Sequence, residues 1–411
     1  MAPSDNPEFD WLLVRLRAVL AEKKGHARPP VEPVPGNPDW KRLLEFARWH
    51  VLGPSLAASV ADAPPGDGVP DEVWAALRAD YAANAAQAAR LTAELPSLVD
   101  GLQAAGVRAL PFKAPALAAR FYPDTRARKC ENINLLVEPS ALRPASVCLA
   151  RRGYHFVPVL KVGAAAQWHI EANVRFRRAG TPLEVCLHAQ VVPRRYSYRL
   201  PFDRLWQHAR RSSRAGLDLP WLSNEHWLIL ASLYSSKDGF WPSLGLVYDL
   251  AWVLADADGI DWERLRREAR RLNCERVVLL ALALVHRLLG AELPGVWRGR
   301  IESDPVVTAL RERVCARLAR QESGFATLPD AIRTHYVLRR NFLDKVRYAA
   351  GVLATPSVRD FSLFGRPVPV PMSYAVRAVT LAGKCGWQVA GKFVPVHTRR
   401  PVAVPSVDCG L

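Results

Sequence analysis

The chain has 411 residues, half of them hydrophobic and 23% charged, which is ample material for a core and excludes an intrinsically disordered chain. Its formal charge of +17 favours anionic partners: a nucleotide, an anionic polymer such as nucleic acid, or a membrane surface. Solvated arginine faces would give the same balance. Seven scattered cysteines without CxxC spacing argue against a disulfide framework or a cysteine zinc site.

No stretch reaches the ~20 apolar residues of a transmembrane segment. The nearest, Val277 to Gly290, is broken by His286 and Arg287. The opening MAPSDNPEFDW lacks a basic segment followed by an apolar one, so no secretory leader and a cytoplasmic location are expected.

Residues 1–37 read as a helix and a basic, proline-rich linker (KKGHARPPVEPVPGNPDW, Lys23 to Trp40), and 38–106 as a helical segment with apolar residues at helical spacing. From Val107 the pattern changes to short apolar runs: VRALPF, INLLVE, YHFVPV and PLEVCLHAQV, with HIEANVRFRR (His169 to Arg178) as a further strand partner. Small helices, APALAARFY and SALRPASVCLARRG, lie between the first three. This predicts a mixed α/β core over 107–215. Helical periodicity resumes over 216–300, where Asp261 is positioned to cap the arginine-rich helix that follows. Residues 301–411 read as a helical extension with a basic tail. The fold class is therefore α+β, a mixed sheet between N-terminal and C-terminal helices.

RKCENINLLVEP (Arg128 to Pro139) is the stretch with chemical content. On a strand, Asn132 and Asn134 share one face and Leu135 to Val137 enter the core. Two acids at that spacing would hold a metal. Glu184 and Cys186 repeat the spacing on another strand, followed by His188. His169 stands alone; it is a metal ligand only if partners converge on it, and otherwise an ordinary histidine.

GVRALPFKAPALAARFYPD, RKCENINLLVEP and LRPASVCLARRGYHF together resemble a bacterial family of uncharacterised nucleotidyltransferases, and the likeness extends over roughly residues 40 to 390. The resemblance implies a nucleotidyltransferase fold in which two Asp on one strand and a third acid on its neighbour hold two Mg²⁺ ions. Carboxylates are needed because Mg²⁺ is a hard ion that dehydrates reluctantly. One ion would activate the attacking hydroxyl and the other would steady the triphosphate.

The chain departs from that pattern. Asn132 and Asn134 stand where the resemblance implies Asp, Cys186 where it implies the third acid, and Ala114 where a glycine follows Lys113. Tyr234 and Asp238 stand where it implies His. Each lost carboxylate removes roughly 4 kcal/mol of attraction to a cation ~4 Å away, at an effective dielectric of ~20. Glu184 leaves a single acid. The expectation is a degenerate two-metal site, with Asn132, Asn134, Glu184 and Cys186 as vestigial catalytic positions and no metal cofactor. Lys113, Ala114 and Arg128 would meet a nucleotide and leave the site net basic; a protein partner is the other binding option. The alternative is an active, Mg²⁺-dependent transferase moving a nucleoside monophosphate from a triphosphate to an unknown acceptor.

Overall fold

The computed structural model describes residues 6–382 except 24–37, 62–68, 159–163, 199, 238–239, 257–258, 323, 326, 357, 364–365, 369–371 and 381. Four N-terminal helices come first: α1 (Pro7–Lys23), α2 (Trp40–Trp49), α3 (Gly53–Ala61) and the long α4 (Asp71–Ala104). A five-stranded sheet follows, built from β1 (Ala109–Pro111), β2 (Ile133–Val137), β3 (Tyr154–Val157), β4 (Asn173–Arg178) and β5 (Glu184–His188) in the order β1-β2-β5-β4-β3. β2 and β5 run parallel, and the other pairings are antiparallel. Inserted among these strands are α5 (Ala116–Phe121), α6 (Leu142–Arg151) and α7 (Ala164–Glu171). All five residues of β2 are buried, as a central strand covered on both faces requires.

Two details differ from the sequence reading. His169 to Glu171 close α7 instead of opening a strand, because the preceding alanines favour helix; the chain turns at Ala172 (φ 56°) before β4 begins. After α8 (Phe202–His208), a hairpin of β6 (Arg210–Arg214) and β7 (Leu217–Trp221) spans the point where the sequence places a segment boundary. Ala215 and Gly216, both at positive φ, form the two-residue turn that suits such a hairpin. β6 is exposed along its whole length, so it carries no hydrophobic alternation.

The remaining helices are α9 (Asn224–Ser235), α10 (Leu244–Leu254), α11 (Trp262–Arg271), α12 (Glu275–Leu289), α13 (Gly295–Glu302), α14 (Pro305–Ala319), α15 (Leu328–Val337) and α16 (Phe342–Ala354). Asp261 caps α11, accepting from the Arg264 N–H at 2.8 Å. α10 is buried all round, which explains its lack of a polar face. One hydrophobic cluster runs from Phe9 in α1 through the sheet to Val352 in α16, so all the segments share a core. Among the described residues no helix is long and apolar enough to cross a membrane.

The N-terminal helices position the segment that leads into β2. Ser55 Oγ in α3 donates to Ala127 O at 2.7 Å. Buried Asn84 in α4 donates to Arg126 O and Arg128 O at 2.6 and 2.9 Å and accepts from the Cys130 N–H at 2.8 Å. Tyr81 bonds Asp124. Replacing Asn84 by Ala removes three bonds and strands buried backbone groups, at about 2–4 kcal/mol. Urea unfolding of Asn84→Ala should show a lower midpoint with an unchanged slope.

Candidate functional site

The register of the central strands sets the site. Asn134 in β2 lies opposite Cys186 in β5, and Cys186 lies opposite Arg175 in β4, so the three form one row across a single face of the sheet. One step towards the strand starts, Glu184 faces Arg177 in the same way, and Asn132 immediately precedes β2. β5 continues unbent to His188, which therefore shares this face.

Where acids would converge, the strands carry a neutral chain of hydrogen bonds. His188 Nε2 lies 3.0 Å from Asn134 Oδ1, and Asn134 Nδ2 donates to Asn132 Oδ1 at 2.6 Å. With Nε2–H donating, all three groups are oriented head to tail. Burial pushes the His188 pKa well below its ordinary value, with Lys113, Lys237 and Arg175 acting in the same direction, so the imidazole is neutral. Phe112 packs edge-on against it, ring centroids 4.9 Å apart.

Cations surround this chain. Lys113 leaves the end of β1 with φ 61°, a conformation that costs a non-glycine residue about 1–2 kcal/mol. Its Nζ sits 3.8 Å from the centroid of the Tyr234 ring, and Lys237 Nζ sits 4.3 Å from the same ring. Arg175 Nε is buried and has no hydrogen-bond partner among the described residues. At the rim, burial raises the Glu131 carboxyl against the pull of Lys129, Arg128, Lys113 and Arg175. Lys237, Arg175 and the bond partner His188 are site residues that the sequence reading did not assign. The signal for Lys237 was its place between Tyr234 and Asp238; the latter lies outside the described residues.

The one acid of β5 is already engaged. Glu184, the surviving acid, accepts from Arg177 Nε at 2.8 Å and lies 3.8 Å from Arg175. Asn132 and Asn134 spend amide groups on each other. Among the described residues no group of three or more His, Cys, Asp or Glu is arranged to hold a metal ion. His169 instead contacts Tyr374 Oη at 2.9 Å. Cys186 gains no base: His188 turns to Asn134, the Cys186 sulfur lies 3.9 Å from Asn173 Oδ1, and burial raises its thiol pKa against the nearby cations.

Arg128 corrects the charge count. Its guanidinium bonds both carboxylate oxygens of Asp249 in α10, at 3.1 and 2.7 Å, and Tyr122 Oη donates to the same carboxylate at 2.7 Å. Burial works against the Arg128 charge, but Asp249 outweighs it and raises the pKa. The pair is nearly enclosed, so Arg128 adds no uncompensated charge to the cleft. Ala114 is buried beside Lys113. Behind Tyr234 a recess lined by Phe112, Leu117, Trp227 and Leu246 measures about 20 Å³, room for one water and not for a nucleobase.

A family profile described as uncharacterised nucleotidyltransferase matches residues 36–290, more than half of the chain. The chain belongs to this family. No curated protein and no solved structure matches it. The nucleotidyltransferase-family match covers the helices that hold the loop, the sheet, and α9 to α12 behind the cleft.

Two outcomes follow from this electrostatic arrangement. Asp249→Ala leaves Arg128 buried without its partner and should cost about 3–5 kcal/mol in urea unfolding, whereas joint Arg128→Met, Asp249→Leu should cost much less. Burial also depresses His188, His50 to about 3 and His226 to about 4, against roughly 6.5 when unfolded. The unfolded chain then binds more protons, so stability is complete above about pH 6.5 and falls as pH drops towards the folded values. The slope should approach about 1.4 kcal/mol per pH unit for each histidine, and His188→Gln should reduce it between about pH 6 and pH 5.

Proposed function

We propose that the chain is a non-catalytic nucleotidyltransferase-family protein that binds nucleotide phosphates without a metal. One observation carries this reading: the Asn132–Asn134–His188 chain is uncharged and lies beside Lys113 and Lys237. A two-metal site needs concentrated negative charge before the cations arrive. Here the field has the opposite sign, and phosphate is its natural complement.

The ring of Tyr234 supports the same reading. An aromatic face holds an ammonium group in place without cancelling its charge, so Lys113 keeps its attraction for an anion. Asn132 is half-buried at the mouth of the chain, and its Nδ2 group supplies amide donors there. Because the recess behind Tyr234 is too small for a base, the cleft recognises phosphate and leaves the base nearer solvent. A cytoplasmic setting, where nucleotides are abundant, completes the proposal. The competing activity, nucleoside monophosphate transfer, would lean on Glu184, whose carboxylate Arg177 and Arg175 already engage.

Calorimetric titration with ATP in EDTA should give binding that added Mg²⁺ leaves unchanged or weakens. Lys113→Ala and Lys237→Ala should each weaken it about tenfold or more, the worth of one charge-assisted hydrogen bond. Binding that strictly requires Mg²⁺ would overturn the reading. So would metal-dependent transfer of label from a nucleoside triphosphate to cell extract that Glu184→Gln abolishes.

A further inference from the structure

Of the eleven large hydrophobic side chains exposed among the described residues, all but Val147 and Val296 fall between Leu328 and Val379. That stretch contains α15, α16 and the helical residues 372–380. Phe342, Leu343 and Leu353 are 73%, 68% and 62% exposed. Exposed apolar side chains scattered singly are ordinary, but a concentration on neighbouring helices marks a contact surface.

The arrangement is ordered. At about 100° per residue, the buried Asp344, Tyr348 and Val352 fall on one side of α16. Phe342, Val346 and Leu353 fall together on the opposite side, so this helix buries one face and presents an apolar stripe on the other. Lys345 and Arg347 flank the outer stripe, and Lys345 reaches the Tyr336 ring of α15 at 5.2 Å. Residues 372–380 repeat the pattern: Ser373 and Arg377 are buried, while Met372 and Val379 are exposed. Arg377 fixes the two helices together by donating to Val352 O at 2.9 Å.

The charge of this face has one sign. Between residues 328 and 382 the acids are Asp330, Asp344 and Asp360. Asp330 is paired with Arg313, Asp344 is buried, and Asp360 is buried against Arg377. Exposed Arg333 and Arg347, with half-buried Lys345, are left around the apolar stripe. A second copy of the chain would bring the same basic rim against itself, with no exposed acid there to answer it. An anionic bilayer offers both an apolar interior and a negative surface, the pairing that interfacial helices exploit.

We propose that α16 and helical residues 372–380 form a peripheral docking face for anionic membranes, with Phe342, Leu343 and Leu353 entering the boundary between headgroups and acyl chains. The face lies outside the family-matched residues and does not rest on the function proposed above.

Co-sedimentation of the full chain with vesicles tests this. Vesicles of phosphatidylglycerol and phosphatidylcholine in about equal parts should retain the protein, and phosphatidylcholine alone should not. Phe342→Glu with Leu343→Glu should abolish retention. Arg333→Gln with Arg347→Gln should lower partitioning about thirtyfold, from ~1 kcal/mol per basic residue near an anionic surface. These side chains are exposed, so both variants should keep the parental circular dichroism; should the first fail to fold, the arginine pair decides. No retention on anionic vesicles, or equal retention on neutral ones, overturns the proposal. So does a dimer of the natural chain, seen by light scattering, that Phe342→Glu with Leu343→Glu dissolves.

Discussion

The Arg128–Asp249 ion pair fixes the geometry on which the cleft depends. It joins the segment before β2 to α10, a helix with no exposed side, and Tyr122 adds a third bond to the same carboxylate. A buried pair of this kind contributes little net stability, because desolvation offsets attraction, yet either partner left alone is strongly unfavourable. Its effect is therefore positional. With Asn84 holding the other side of the segment, Asn132 and Asn134 have little freedom in where they enter the sheet.

The chemistry of that entry point follows from charge. A carboxylate there would lean on the surrounding cations to offset its burial; an amide needs only hydrogen-bond partners, and the chain supplies them in His188 and a neighbouring amide. A neutral His188 is compatible with lysines nearby, whereas a protonated one would be repelled by them. Asparagines, neutral imidazole and cations thus form a consistent set. Restoring one acid would place a charge against an amide with no second acid beside it.

Much of this was legible in the sequence because strands and helices leave periodic traces. The two-residue spacing of Asn132 and Asn134, the apolar run behind them and the Asp261 cap all depend on neighbours along the chain. The β6–β7 hairpin was not legible, since exposed Arg210 to Arg214 show no alternation. The pairing of Arg128 is not legible for a different reason: Asp249, the residue that neutralises it, lies 121 positions away, and no local pattern connects them. Lys237 is not legible for the same reason, because its relation to Lys113 runs through the shared ring of Tyr234 and not along the chain.

The formal charge of +17 also means less than it suggests until each arginine is placed. Arg204 answers Glu268, Arg276 answers Asp304, and Arg270, Arg300 and Arg340 converge on Glu275. These pairs join neighbouring helices and do little to attract a partner from solution. What attracts is positive charge next to groups that an anion can also contact: amide donors beside the lysines in the cleft, and apolar side chains beside the basic residues of α16. On the two proposals, the surfaces would select different anions. The cleft suits a small, hydrogen-bonding phosphate, while α16 suits an extended anionic surface with an apolar layer beneath it.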